Sequence, residues 1–261
     1  MSISSPREPL PLWEGDDAPP TGLRLRELAW NSVRLVRHFA KRGPRGPLDG
    51  PPVLVIPGFL CSDETTLALR KQLAAAGFRV HGWKLGWNLG ARADTIDRLR
   101  ERVEGLGHQQ PIVIVGWSLG GLFAREFARS FPDQVKAVIT LGTPFSGDPR
   151  QNTVWRLYER VAKHRVDDPP IPRVTEKPPV PHLALWSRRD GLIAPRAARG
   201  LPEERDKEVE MSCHHMAFGV STKAAKRVVS EIDCFLNEYG TGGVGGDGGG
   251  AQRRQPPERR R

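Results

Sequence analysis

The stretch that decides the fold is Val113-Ile114-Val115-Gly116-Trp117-Ser118-Leu119-Gly120-Gly121. A short run of β-branched residues that stops at a glycine predicts a buried strand of a parallel sheet, and residues 122–130 predict a helix. Between them lies the pattern Gly-x-Ser-x-Gly, in which a tight strand-to-helix turn raises the serine above the sheet. The N-terminal amides of the helix then point towards any anion that forms on that residue. Ser118 is therefore a candidate nucleophile, although an ordinary glycine-rich turn has the same pattern.

Strands and helices alternate on both sides of this turn. Strands are predicted at 52–59, 78–83, 111–115, 135–141, 182–187 and 209–212, with helices between most of them. This rhythm predicts a single α/β domain over residues 51–238, with a doubly wound, mostly parallel sheet and helices on both faces. Ligands of such sheets bind outside the carboxyl ends of the strands. Phe59, Ser118 and Thr143 are expected to meet there.

The alternation breaks once, at about residues 144–181. One amphipathic helix is predicted at 153–163, and a segment with six prolines follows it at 167–181. Proline fixes the backbone and removes an amide donor, so that segment cannot form regular structure. An insertion at this point, above the sheet, is predicted to be a small lid.

The ends of the chain carry most of the charge. The 261 residues have a formal net charge of +10. Residues 22–47 hold seven Lys or Arg against the single acid Glu27, and residues 240–261 hold five Arg against two acids. Because most of the positive charge lies in these terminal segments, the net charge of the chain indicates little about a substrate.

Residues 1–50 are interpreted as an irregular leader, a basic amphipathic helix and a linker. This helix either packs on the outside of the domain with a solvated arginine face, or makes peripheral contact with anionic membrane through residues 22–47. The glycine-rich and then arginine-rich residues 239–261 predict a disordered tail. No specific nucleic acid is expected as a partner, because no basic patch is interleaved with aromatic residues.

Cysteine usage and hydropathy indicate the compartment. Cys61, Cys213 and Cys234 have no metal-ligand spacing, which favours a reduced protein without a disulfide framework. Residues 1–10 lack the apolar segment of a signal peptide, and no stretch approaches the ~18 apolar residues of a membrane span. We therefore expect a cytoplasmic protein that is at most peripheral to a membrane.

A nucleophilic serine needs a base, and the base needs an acid that fixes its tautomer. In a sheet of this kind the acid follows a late strand and the histidine follows the last one. Asp190 fits the acid, since Asp167 and Asp168 lie in the predicted lid. His215 is the preferred base, with His214 as the alternative.

The tetrahedral intermediate of acyl transfer needs two N–H donors for its oxyanion. The backbone amides of Leu119 and Phe59 are the predicted pair. No cofactor or metal is expected, because the contiguous Cys213, His214 and His215 cannot converge on one tetrahedral ion.

Together these segments resemble the α/β-hydrolase superfamily, specifically its lipase and esterase members. The chain is similar to bacterial triacylglycerol lipases and to the catalytic domain of GPI inositol-deacylases, over about residues 51–238. It departs from many lipases in having Pro57-Gly58 where they have His-Gly. The resemblance rests on the segments Val53–Phe59, Gly116–Gly121, Thr140–Phe145, Ser187–Gly191 and His215–Phe218.

The resemblance implies a serine hydrolase that cleaves carboxylic esters with apolar acyl groups through an acyl-enzyme. An acyltransferase would use the same three residues, and a non-catalytic binding module would use the same fold. Both remain alternatives, and the acyl chain length and the oligomeric state are not predicted.

Overall fold

The computed structural model describes residues 18–19, 22–24, 27, 46–47 and 49–239 of the chain. Six strands form one sheet, and every neighbouring pair of strands is parallel. They are β1 (Pro52–Ile56), β2 (Arg79–Gly82), β3 (Ile112–Trp117), β4 (Val135–Leu141), β5 (His182–Trp186) and β6 (Lys207–Glu210). Their order across the sheet is β2-β1-β3-β4-β5-β6.

Seven α-helices accompany these strands within residues 49–239. They are α1 (Leu67–Ala75), α2 (Thr95–Glu104), α3 (Leu119–Ser130), α4 (Trp155–Ala162), α5 (Pro195–Arg199), α6 (Ala217–Val220) and α7 (Thr222–Tyr239). Helices α1 and α7 pack together on one face of the sheet, and α2 and α3 pack together on the other.

The central strands are apolar throughout because both faces of the sheet are covered. In β1, Val53 and Val55 join the core beneath α1 and α7, whereas Leu54 and Ile56 join the core beneath α2 and α3. Successive side chains of a strand point to opposite faces, so a strand buried on both sides has no polar alternation. The doubly wound sheet predicted from the sequence is confirmed.

The strand order reverses at β1, which has β2 on one side and β3 on the other. The chain therefore leaves the carboxyl ends of β1 and β3 towards opposite sides of the sheet. A crevice opens between the two connections at such a reversal, and ligands of open α/β sheets bind in it. The loop that contains Phe59 and the turn that contains Ser118 both border this crevice.

The insertion between β4 and β5 contains α4 and the proline-rich segment. It is joined to the rest of the domain at Tyr158, whose hydroxyl accepts a hydrogen bond from the Ala91 N–H at 3.1 Å. The Tyr158 ring also packs edge-on against Phe59, with 5.2 Å between ring centroids. The insertion therefore lies over the end of β1, and its function as a lid remains a prediction.

The described residues of the leader lie against the domain. Leu23 and Glu27 are both buried, with 5% and 1% of their surface exposed. A Cβ placed on Gly191 would lie only 2.5 Å from the Leu23 carbonyl oxygen. This part of the leader therefore packs directly against the loop after β5.

Most of the predicted basic helix lies outside the described residues, and so does the predicted disordered tail from residue 240 onwards. The proposed membrane contact of residues 22–47 stays a prediction, which sedimentation with anionic and neutral vesicles would test. Among the helices that are described, none combines the length and the apolar character needed to cross a bilayer.

Candidate active site

Ser118 lies between the last residue of β3 and the first residue of α3. Its backbone has φ 53° and ψ −122°, a conformation that non-glycine residues rarely adopt and that costs about 1–3 kcal/mol. A Cβ placed on Gly120 would lie 2.5 Å from the Ile56 carbonyl oxygen and 2.6 Å from that of Pro57. Only glycine therefore lets the turn approach the end of β1 so closely. This geometry is that of a nucleophile elbow.

The two residues predicted as acid and base are in direct contact. The His215 Nδ1 atom lies 2.7 Å from Oδ2 of Asp190, and 3% and 1% of the two residues are exposed. The other carboxylate oxygen of Asp190 accepts hydrogen bonds from the Leu192 and Ile193 amides, each at 2.8 Å. One oxygen of Asp190 is held by backbone amides, so the other is fixed in position to accept the Nδ1 proton of His215. Nε2 of His215 is then left as the acceptor.

His215 also lies beside the elbow, with its ring centroid 5.8 Å from that of Trp117. Burial alone would lower the pKa of His215, but the charge and hydrogen bond of Asp190, together with the charge of Glu27, raise it above the ordinary value. Among the described residues no hydrogen bond joins the Ser118 hydroxyl to this ring. Catalytic hydrogen bonds are often long before substrate binds.

The alternative base, His214, has a different environment. Its Nδ1 atom lies 3.3 Å from a carboxylate oxygen of Glu27, and it has no hydrogen bond with Asp190. Asp190 therefore pairs with His215 and leaves His214 in another interaction.

The predicted oxyanion donors flank Ser118. Leu119 is the first residue of α3, so its N–H has no acceptor within the helix. Phe59 follows β1, in a loop that lies against the serine: a Cβ placed on Gly58 would be 3.2 Å from the Ser118 Cβ. Both residues therefore belong to segments next to Ser118, and their function as oxyanion donors stays a prediction.

Sequence reasoning did not identify Asn88, which holds this loop in place. Its side-chain amide donates to the Pro57 carbonyl at 2.8 Å, and its backbone exchanges hydrogen bonds of 2.8 Å with Leu60 and Cys61. Asn88 is buried, with 1% of its surface exposed. A polar residue in a glycine-broken loop gives no sequence signal for such contacts, because its partners are backbone atoms about 30 residues earlier.

An open cavity of about 800 Å³, solvent at its mouth included, begins at Ser118. It extends along the face of α3 that carries Leu119, Leu122, Phe123 and Glu126 and continues beneath the insertion. Glu126, Asn152 and Arg173 add polar groups to a lining that is otherwise mainly apolar. The apolar residues contributed by the insertion are Pro144, Pro149, Val154, Trp155, Tyr158, Val166, Pro169, Ile171 and Pro172.

The other candidate residues are not gathered at the site. Asp167 lies on the insertion, where hydrogen bonds from Arg165 and Arg150 hold the pKa of its carboxyl below the ordinary value. Within the described ranges, no group of three or more His, Cys, Asp or Glu side chains is arranged to hold a metal ion.

Comparisons with known proteins agree with this architecture. Residues 87–170 match the family model described as the alpha/beta hydrolase fold. No curated protein matches the chain in sequence. Among solved structures, a membrane phospholipase A described as a bacterial virulence factor is 14% identical, with a TM-score of 0.57 over 85% of this chain and 93% of that one.

Two further structures show the same likeness. The carboxylesterase CesB of Bacillus subtilis is 15% identical, with a TM-score of 0.53 over 82% of this chain and 98% of that one. The monoacylglycerol lipase of Paleococcus ferrophilus is 16% identical, with a TM-score of 0.53 over 72% and 96%. Likenesses at this level of identity establish the fold. The chain has the α/β-hydrolase fold, and the resemblance predicted from its sequence is confirmed at the level of the fold.

Proposed function

We propose that the chain is a serine hydrolase that cleaves carboxylic esters with apolar acyl groups. The observation that carries this proposal is the 2.7 Å contact of His215 with Asp190, beside a serine with a strained elbow backbone. A structural role alone gives no reason to keep a serine at φ 53°, because glycine would adopt that conformation without strain. The cavity that begins at Ser118 supports an apolar substrate.

The contact between His215 and Asp190 and the position of Ser118 support the following reaction. His215 Nε2 takes the proton of Ser118 as Oγ attacks the ester carbonyl, and Asp190 stabilises the imidazolium that forms. The amides of Leu119 and Phe59 hold the oxyanion of the tetrahedral intermediate. Its collapse releases the alcohol, which takes the proton from His215. Water then attacks the acyl-enzyme, with His215 again the base, and the second tetrahedral intermediate collapses to release the carboxylic acid and to leave Ser118, which takes the proton back from His215.

The acyl group is proposed to lie along α3. The lining runs from Leu119 to Glu126, and a helix rises about 1.5 Å per residue, so this wall is roughly 10 Å long. An extended acyl chain lying against Leu122 and Phe123 would exclude water from the oxyanion donors. Both the apolar contacts and the lower local dielectric would favour the charged intermediate.

A fluorophosphonate probe tests the nucleophile directly, because it phosphonylates only an activated serine. Wild type is expected to be labelled at neutral pH, whereas Ser118→Ala should not be labelled and should lose at least about 10³-fold in ester hydrolysis. Ser130→Ala is the matched control, since Ser130 is an exposed serine at the other end of the same helix.

Absence of labelling in folded wild type would overturn the proposal and favour a non-catalytic module. Labelling without ester hydrolysis, but with acyl transfer to an added alcohol, would identify the acyltransferase alternative.

A further inference from the structure

Glu27 is a buried carboxylate that the proposed reaction does not use. One of its oxygens accepts hydrogen bonds from the backbone amides of His215, at 2.5 Å, and Gly191, at 3.3 Å. The other accepts from the Met216 amide at 3.2 Å and lies 3.3 Å from Nδ1 of His214. Only 1% of Glu27 is exposed.

These partners belong to both of the loops that carry the acid and the base. Gly191 directly follows Asp190, and His215 is the base itself. A Cβ placed on Gly191 would lie 2.8 Å from Cγ of Glu27, so a side chain at that position would displace the carboxylate. One carboxylate from the leader therefore joins the loop after β5 to the loop after β6.

The contacts also keep Glu27 ionised. Burial alone would raise the pKa of its carboxyl, but the hydrogen bond with His214, the charges of His215 and His214 and the Met216 amide together lower it. A buried carboxylate is stable only when such partners replace its lost hydration. Within the part of the chain that the structure describes, the Cys213 thiol also lies near Glu27, and its pKa is raised to about 12 by burial and by the charges of Asp190 and Glu27.

We propose that Glu27 is a positioning residue of the active site, which fixes the His215 backbone against the Asp190 loop and adds a second negative charge near the imidazole. This inference rests on the proposed hydrolase function. Asp190 contacts only the imidazole ring of His215, through Nδ1. The backbone of the loop that carries this ring must be held by other groups, and Glu27 accepts hydrogen bonds from it. A displacement of about 1 Å in a catalytic group can cost about 10²-fold in rate.

The test is the substitution Glu27→Gln, which keeps the shape of the side chain but removes its charge. With a neutral, water-soluble ester, we expect kcat to fall roughly 10- to 100-fold, with KM changed by less than about twofold. Loss of the negative charge lowers the pKa of His215, so the acid limb of the pH–rate profile should move to lower pH. Glu101→Gln, at an exposed position of α2, is the matched control and should change none of these.

Glu27→Asp distinguishes the effect of the negative charge from that of the side-chain length, because it keeps the carboxylate on a side chain one methylene shorter. It should leave the acid limb near that of wild type while lowering kcat, and it can be measured if Glu27→Gln does not fold. An unchanged kcat in both variants would overturn the positioning role, and so would a fall in kcat accounted for by a loss of folded protein in circular dichroism.

Two further measurements test the contacts of Glu27 without requiring enzymatic turnover. NMR titration of the His215 imidazole should give a lower pKa in Glu27→Gln than in wild type, and the His215 and Met216 amides should exchange their hydrogens faster. If both change but wild type neither hydrolyses esters nor takes up the fluorophosphonate probe, the hydrolase proposal fails while the contacts of Glu27 are supported. If neither changes, the role of Glu27 is overturned, and the hydrolase proposal is decided separately by the labelling of Ser118.

Discussion

At the scale of single residues, the pH dependence of the site is determined by His215. Its pKa is raised from 6.5, because Asp190 and Glu27 outweigh the effect of burial. The imidazole therefore takes up its proton at a higher pH than an ordinary histidine does. A protonated ring cannot accept the serine proton, so activity should be lost as the pH falls through a value above 6.5.

Measurement of kcat/KM for a neutral ester between about pH 5 and 9 checks this expectation, since that profile reports the groups of the free enzyme. Ser118→Ala supplies the blank for uncatalysed hydrolysis at each pH. An acid limb with its midpoint below 6.5 would contradict the electrostatic account of His215.

The residues with proposed roles in the reaction differed in how easily the sequence alone could identify them. Ser118 has a local pattern, and Asp190 and His215 follow strands in the order that the topology requires, so all three could be chosen from one sequence. Glu27 and Asn88 could not be chosen. Their partners are mostly backbone amides and carbonyls far away in the chain. The sequence around Glu27 or Asn88 therefore contains no pattern that indicates these contacts.

At the scale of elements, the loop after β1 depends on the loop that contains Asn88. The substitution Asn88→Ala removes the donor to the Pro57 carbonyl, and an unpaired buried carbonyl costs about 1–3 kcal/mol. We expect the Phe59 amide to lose its position and kcat to fall roughly 10- to 100-fold with little change in KM.

Single-turnover acylation by an activated ester measures this effect before deacylation intervenes. Asn237→Ala, at an exposed position of α7, is the matched control. A normal acylation rate in Asn88→Ala would show that the loop holds its conformation without the side chain.

Most elements were predictable because burial on both faces leaves a strong apolar signal in the central strands. β4 has the predicted bounds of Val135 to Leu141. The edge strand gave a weaker signal: β6 runs from Lys207 to Glu210, two residues earlier than predicted, because its sequence Lys-Glu-Val-Glu is polar and only partly buried. The short helices α5 and α6 were also missed, since four or five residues contain too few turns to show a helical period.

At the scale of the whole molecule, Arg125 links several separate parts of the chain. Its guanidinium lies 2.9 Å from Nδ1 of His182 in β5 and donates to the Glu204 carbonyl at 3.1 Å. It also donates to the carbonyls of Thr175 and Glu176 in the insertion, at 2.7 and 2.8 Å. Burial is the main reason that the pKa of Arg125 is lowered to about 10, so the group is still charged at neutral pH.

The substitution Arg125→Met should therefore leave several buried acceptors without a donor. We expect a loss of roughly 3–5 kcal/mol in the free energy of unfolding, measured by urea denaturation. Arg100→Met is the control, because Arg100 is 44% exposed in its side chain and its weak ion pair with Glu104 contributes little. A loss of less than about 1 kcal/mol for Arg125→Met would contradict this role.

The position of Glu27 also determines when, during synthesis, the site can be completed. Glu27 precedes His215 by 188 residues in the chain. Ribosomes add about 5–20 residues per second, so the two residues are made roughly 10–40 s apart. Until Gly191 is made, the carboxylate of the leader has none of its four partners, and between the synthesis of Ser118 and that of His215 the nascent chain holds the proposed nucleophile without its proposed base. The proposed site can therefore be completed only when the loop after β6 closes over a residue made 188 residues earlier.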